Sequence, residues 1–207
     1  MSESTPLVYI IDDDPSVRRA LVRLIRTAGF EAVAFGSAQE FLAAPLTERP
    51  SCLVLDVRLP GVSGLQLQEQ LAALGRHLPI VFITGHGDIP MSVRAMKAGA
   101  IDFLVKPFQE KDLLEAIGAA IRADKEARRH EAELSELRRR MMTLTPRERE
   151  VLELVVQGLL NKQIAARLGT TEKTIKVHRA RVMEKMKARS LAELVRLAEK
   201  LGIPSSA

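Results

Sequence analysis

The chain has no tryptophan, one tyrosine and one cysteine, and aromatic residues make up only 3% of its 207 positions. A single cysteine, Cys52, excludes an intramolecular disulfide framework and fits a reducing compartment. Its place at the start of an apolar run reads as a small core residue. Apolar runs are strand-length, as in Leu53-Val54-Leu55, so none predicts a membrane span. The stretch from Met1 to Pro6 is short and polar and does not read as a signal peptide. These absences predict a cytoplasmic protein with no membrane partner.

What is present is a 46% hydrophobic content, enough for globular domains, and a net charge of +5 that is unevenly spread. Residues 1–123 carry 12 Lys and Arg against 14 Asp and Glu. Residues 124–140 are nearly balanced, with 6 against 5, and residues 141–207 carry 13 against 7. An acidic larger part followed by a small basic one points to nucleic acid as the partner of the latter. A solvated basic face would look the same at this level.

The first part alternates strand-length apolar runs with helix-period segments. The runs fall at 7–11, 32–35, 52–55, 80–83 and 101–105; the helices at 16–28, 38–43, 65–74, 91–98 and from 111 onward. Five such units predict an α/β fold, a doubly wound five-stranded parallel sheet with helices on both faces. Gly29, Gly75 and Gly99 fall where helices should stop, and Pro15 and Pro90 where they should start. In such a sheet ligands bind at the carboxyl ends of the strands. Those ends carry Asp12-Asp13-Asp14, Asp56, Thr84 and Lys106.

Phosphoryl transfer to a carboxylate needs a divalent cation and a further positive charge. Mg²⁺ prefers one or two carboxylates, with water and phosphate oxygens completing its shell. Asp13 and Asp56 could supply the pair, and Asp12 could act through water. Lys106 offers a point charge and Thr84 a hydrogen bond. Crowded acids also occur as mere solvated surface, but a matched Thr and Lys on neighbouring strand ends argue against that here.

Beyond residue 110 the pattern is continuously helical to about residue 140. Ala127, His130, Leu134, Leu137 and Met141 follow a 3-4-3-4 spacing, with Ala116, Ala120 and Ala123 on the same register. This reads either as a coiled-coil seam in a helical linker, 124–141, or as one charged helix with a weak stripe. The remainder, 142–207, reads as a compact all-α domain. Thr145-Pro146-Arg147-Glu148 is a capping box, Asn161 could cap a short helix ending before Gly169, and Thr171 a longer one to Met186. A last helix covers 191–201. A short helix, a tight turn and a longer helix have the proportions of a helix-turn-helix. Ile175 and Val182 would face inward, leaving Thr174, Lys176 and Arg179 outside.

Taken together, Ile11-Asp12-Asp13-Asp14, Leu55-Asp56-Val57-Arg58-Leu59-Pro60-Gly61, Thr84-Gly85-His86-Gly87 and Val105-Lys106-Pro107-Phe108 closely resemble receiver domains of two-component systems. The resemblance covers residues 1–123 in order and spacing. It implies that Asp56 is the phosphoacceptor and that Asp13 and Asp56 bind Mg²⁺ with the backbone carbonyl of Arg58. It implies also a cis Lys106–Pro107 bond, and Thr84 and Phe103 at the switch positions. On phosphorylation the hydroxyl would move toward the phosphoryl group and the ring would turn inward. His86 flanks this site, either tuning the acyl phosphate or simply facing water.

The second part resembles the DNA-binding domain shared by LuxR, NarL and FixJ proteins. The residues carrying the likeness are Leu144-Thr145-Pro146-Arg147-Glu148-Arg149-Glu150-Val151-Leu152, Gly158, Asn161-Lys162-Gln163-Ile164-Ala165 and Thr174-Ile175-Lys176-Val177-His178. It implies that Lys176 and Val177 read the major groove, with Thr174 beside them. Lys162, Lys173, Arg179 and Arg181 would meet phosphates. Ala180 stands where some relatives carry a lysine, and His178 reads as structural or phosphate-side. The loop after Thr84 and the single long linker fit the FixJ branch best.

The resemblance implies a response regulator transcription factor. A sensor histidine kinase would be its phosphodonor and double-stranded DNA its target, the phosphorylated form would be a homodimer, and RNA polymerase would be a further partner. It would be no enzyme beyond its own phosphorylation and dephosphorylation. Two other classes stay open: a haloacid-dehalogenase-type phosphatase, from Asp12-x-Asp14-x-Ser16-Val17 with Asp12 as nucleophile, and a DNA-binding or scaffold protein indifferent to phosphate.

Overall fold

A computed structural model describes residues 5–85 and 89–204. The chain divides into two compact units, residues 1–128 and 129–207.

In the first unit five strands, β1 (Leu7–Ile11), β2 (Glu31–Phe35), β3 (Ser51–Asp56), β4 (Ile80–Thr84) and β5 (Asp102–Val105), form one parallel sheet in the order β2-β1-β3-β4-β5. The three central strands are buried at every position, as a sheet covered on both faces requires, whereas edge strands β2 and β5 carry exposed or half-buried residues. Alternate residues feed two cores. Tyr9, Ile11, Leu53, Leu55 and Phe82 pack with Phe41 of α2 (Ala38–Ala43), Leu67 and Leu71 of α3 (Gly64–Ala73), and Ala95 of α4 (Ile89–Lys97). Val8, Ile10, Cys52, Val54 and Ile83 pack with Leu21 and Ile25 of α1 (Pro15–Thr27), and Leu113, Ile117 and Ile121 of α5 (Glu110–Met142). Full burial of one such side chain contributes about 1.5–3 kcal/mol. Cys52 lies in this core, where burial pushes its thiol up beyond ionisation at neutral pH.

The strand order reverses direction at β1 and β3, and the crevice of a doubly wound sheet opens at that point, beyond the strand carboxyl ends. The loop after β1 carries Asp12-Asp13, and Asp56 is the last residue of β3. Gly29, Gly75 and Gly99 end α1, α3 and α4 with positive φ.

Residues just beyond 123, where the sequence reading places the start of the helical linker, bond to the sheet. Asp124 is buried and accepts from the Ser51 amide at 2.8 Å and from Arg128 Nε at 2.6 Å. Arg128 in turn donates to the Glu48 carbonyl at 2.7 Å. These bonds hold 124–128 to the base of the sheet, inside the first unit. The continuous stripe is also divided by use. Ala116 and Ala120 face the sheet core, Leu137 is buried and Met141 packs in the core of the second unit; Ala123, Ala127 and His130 are exposed.

The second unit contains the end of α5 and four further helices: α6 (Pro146–Val156), α7 (Asn161–Arg167), α8 (Glu172–Met186) and α9 (Leu191–Lys200). Val151, Leu152, Val155, Ile164, Ile175, Val182, Met186 and Leu194 form its core. The capping box of Thr145 and Glu148 is closed in both directions. Thr171 caps α8 through the Thr174 amide at 3.2 Å. The sequence led us to expect Asn161 as the cap of α7, but Asn161 is instead its first residue. Leu160 occupies the cap and its amide donates to Gln163 Oε1 at 2.7 Å.

Candidate functional site: an acidic strand edge and an exposed helix face

Asp14 accepts from the Ser16 amide at 2.7 Å and caps α1. Those bonds hold its own carboxyl below the usual range, and they turn it away from the strand edge into a structural role. The Asp14 amide donates to Asp12 Oδ1 at 2.9 Å, so the loop fixes Asp12 before any ligand arrives. Lys106 Nζ donates to Asp12 Oδ2 and to Asp56 Oδ2, each at 2.7 Å. The Arg58 amide donates to Asp56 Oδ1 at 2.9 Å. Ligand oxygens of Asp12, Asp13 and Asp56 lie within 4.8 Å of one another, with Asp12 only 1% and Asp56 7% exposed, and Asp13 open to solvent.

Burial pushes the Asp12 carboxyl above the usual range, against the opposing hydrogen bonds of Lys106 and the Asp14 amide. Burial would lower the Lys106 ammonium, but its bonds to Asp12 and Asp56 more than offset this and raise it. Three carboxylates against one ammonium leave a local negative excess with one exposed corner, at Asp13. This donor set suits a hard divalent cation: all-oxygen ligands, few in number, with room for water.

Thr84, fully buried at the end of β4, accepts from the Lys106 amide through its carbonyl at 2.7 Å. The Lys106–Pro107 peptide is cis, as the resemblance implied. Phe103 is half-buried on β5 with its ring centroid 6.2 Å from that of Phe82. The strand ends therefore bring Asp12, Asp13, Asp56 and Lys106 together, with Thr84 on the neighbouring strand end. Phe103 stands apart, against the core. His86 lies outside the described residues.

Two residues of this site were not singled out by sequence reasoning. Arg18 Nη1 donates to the carbonyls of Asp12 and Asp13 at 2.6 and 2.9 Å, pinning the loop from the first turns of α1. Gly64 opens α3 directly against the backbone of Asp56; a Cβ there would sit 2.4 Å from the Asp56 carbonyl oxygen. The signal for Gly64 was present, a second glycine three residues after Gly61 in a loop that must turn sharply from β3 into α3. Nothing in a run of arginines on α1 distinguishes Arg18.

In the second unit Lys162, Lys173, Lys176, Val177 and Arg181 are exposed, Val177 at 46%. Ile175 and Val182 are buried as expected. Thr174 is half-buried, its hydroxyl 2.9 Å from that of Thr171. Arg179 is not free on the outer face. It is half-buried and donates to Asn161 Oδ1 at 3.1 Å, tying α8 to α7. A guanidinium in this position braces the helix-turn-helix and keeps part of its fork for other acceptors.

With this geometry in hand, comparisons with known proteins are direct. The response regulator receiver domain family matches residues 8–118, and the luxR family of bacterial regulatory proteins matches residues 142–198. Nodulation protein W of Bradyrhizobium diazoefficiens is 54% identical over 200 residues, covering 97% of this chain and 88% of that protein. The transcriptional regulatory protein FixJ of Azorhizobium caulinodans is 46% identical, covering 98% and 96%. Among solved structures, the response regulator StyR superposes with a TM-score of 0.85 at 52% identity, covering 95% of this chain and all of that one. Full-length FixJ from B. japonicum gives 0.57 at 44% identity, covering 96% and 98%. An acidic strand edge on a doubly wound sheet, joined to a basic helix-turn-helix, defines the response regulators that act on transcription. The chain belongs to that family, with a receiver and a LuxR-type DNA-binding domain, in the FixJ-like branch. This assignment sets aside the phosphatase reading, since the family that matches residues 8–118 is the receiver domain.

Proposed function

We propose that the chain accepts a phosphoryl group on Asp56 from a sensor histidine kinase and then dimerises to bind paired DNA half-sites. The observation carrying this is the Lys106 ammonium, bonded at once to Asp12 and Asp56 beside the exposed Asp13. An Asp56 oxygen attacks the phosphorus of a kinase phosphohistidine. The phosphorus–nitrogen bond breaks, its electron pair returns to the imidazole with a proton, and Asp56 retains the acyl phosphate. Asp13, Asp56 and the Arg58 carbonyl would hold Mg²⁺, with Asp12 acting through water. Bound there, Mg²⁺ offsets charge on the phosphoryl oxygens. Lys106 offsets the charge that moves onto Asp56, and Thr84 supplies a hydrogen bond to the product.

The phosphoryl group carries about −1.5 to −2 charges where the Asp56 carboxylate carried one, so the buried edge becomes more negative by roughly one charge. Thr84 follows it, Phe103 turns inward into the space beside Phe82, and the surface of α4 and β5 changes to favour a second copy. Self-phosphorylation and dephosphorylation are the only covalent steps. The DNA-binding domain follows the helical linker in α5. Lys176, Val177 and Thr174 read bases; Lys162, Lys173, Arg179 and Arg181 meet phosphates. RNA polymerase is the partner at the promoter, and the setting is the cytoplasm.

Beryllofluoride with Mg²⁺ should shift the full chain from monomer to dimer in sedimentation velocity. Asp56→Asn should abolish the shift; an Asp56→Asn protein that still dimerised fully would sink this reading. Removing one phosphate contact, in Lys162→Ala, should reduce the slope of log affinity against log salt by about 1.

A further inference from the structure

The segment that matches the DNA-binding family starts at residue 142, yet the last turns of α5 are built into that unit. Arg140 Nε donates to Glu136 Oε1 at 2.9 Å, and Nη1 donates to the Met186 carbonyl, the end of α8, at 3.3 Å. In the opposite direction Lys185 of α8 donates to the Thr143 carbonyl, just past the end of α5, at 3.0 Å, and to Glu148 at 2.6 Å. Each helix thus places a cation on the carbonyl end of the other, where orphan acceptors and the helix dipole both favour it. Lys200 of α9 lies 3.5 Å from Glu133, Leu137 is buried and Met141 joins the core. Residue Lys187, immediately after the capped carbonyl, is the chain's described non-glycine residue with positive φ, at 54°.

From this we propose that Arg140 is a positioning residue for DNA recognition, holding the recognition helix α8 from its carboxyl end, and that the functional DNA-binding module begins near Glu133. The inference rests on the DNA-binding reading above. A helix of 15 residues is a rod of roughly 22 Å, so a tilt of about 5° at one end moves the other by roughly 2 Å. Lys176 and Val177, ten and nine residues from Met186, then move by somewhat more than about 1 Å, which lengthens a hydrogen bond to a base edge beyond its usual range. Arg140 therefore acts at a distance on residues it does not touch.

Arg139 supplies the control. It bonds the same Glu136 but is exposed, so Arg139→Ala removes an equal charge without touching α8. Full-length wild type would first enrich duplexes from a random pool; Arg140→Ala, Arg140→Lys and Arg139→Ala are then compared on an enriched duplex and an unrelated one. Arg140→Ala should lose about tenfold on the enriched duplex, the size of one charged hydrogen bond, with little change on the unrelated one. Arg140→Lys should recover most of the loss, and Arg139→Ala should match wild type. Amide exchange at residues 184–188 should accelerate in Arg140→Ala alone. Equal behaviour of Arg140→Ala and Arg139→Ala in affinity ratio and exchange overturns the proposal, as does an equal loss on both duplexes. If wild type enriches no duplex, the DNA-binding reading fails, while the exchange comparison still decides whether Arg140 holds α8.

Discussion

The two units place their chemistry in opposite ways. In the receiver, the interacting groups come from residues 12, 13, 56 and 106, and meet only because a parallel sheet aligns its strand ends; two of the four are almost fully buried. In the helical unit, Lys173, Lys176, Val177 and Arg181 lie on one helix, close in sequence and exposed to solvent. A site that must change a group's chemistry needs desolvation and converging charge, whereas a site that reads a polymer needs a rigid outward face. The same side chain therefore has opposite energetic signs in the two places. Three acids gathered at the receiver edge share one ammonium, that of Lys106. The buried acid of the helical unit, Glu148, is matched by Lys185 and by a helix N-terminus.

That contrast breaks most readily at Glu148, which is 2% exposed. Glu148→Gln should cost the helical unit about 2 kcal/mol, less than a fully enclosed pair because Lys185 retains some access to water. Exchange protection should fall in α6 and α8 and hold in β3; unchanged protection in α8 would show the pair to be idle. The hydrogen bond from Lys185, followed by that from the Thr145 amide, holds the Glu148 carboxyl below its ordinary 4.5. Its contribution is therefore complete above that value and is lost as pH falls through the lower folded one. An acid titration of α8 protection should show this loss in wild type and not in Glu148→Gln.

A smaller effect of opposite sign is expected at the receiver edge. Asp13→Asn removes one of three clustered carboxylates and should stabilise the metal-free receiver by on the order of 1 kcal/mol. Mg²⁺ should raise the melting temperature of wild type and not that of Asp13→Asn; an equal rise in both would remove Asp13 from the metal set. Smallest of all, Lys187→Gly should gain about 0.5 kcal/mol in calorimetry by relieving a left-handed backbone position.

The contrast also explains what could be read from the sequence. Strand ends announce themselves because an apolar run stops at an acid, so Asp12, Asp13, Asp56 and Lys106 were legible, and the sheet that joins them with it. Ile175 and Val182 were legible from helical spacing. Bonds made by long side chains to backbone carbonyls carry no such spacing. Arg18, Arg128 and Arg140 each reach a carbonyl that sequence alone does not bring near. Arg179 shows the same limit, since periodicity gives it a face but not the Asn161 acceptor on the adjacent helix. Asn161 itself was expected as a cap because asparagine favours that position, but Gln163 reached the Leu160 amide instead.

Gly64 turns the backbone of Asp56 into a wall. The carboxylate on the far side of that wall can be approached, charged and modified from solvent, but nothing can be added behind it. One methyl group at position 64 would press on the strand end itself, a strain of about 1–3 kcal/mol delivered to the reacting residue's main chain. The main chain of Asp56 is thus closed off on the side of α3, and the strand end has no slack in that direction.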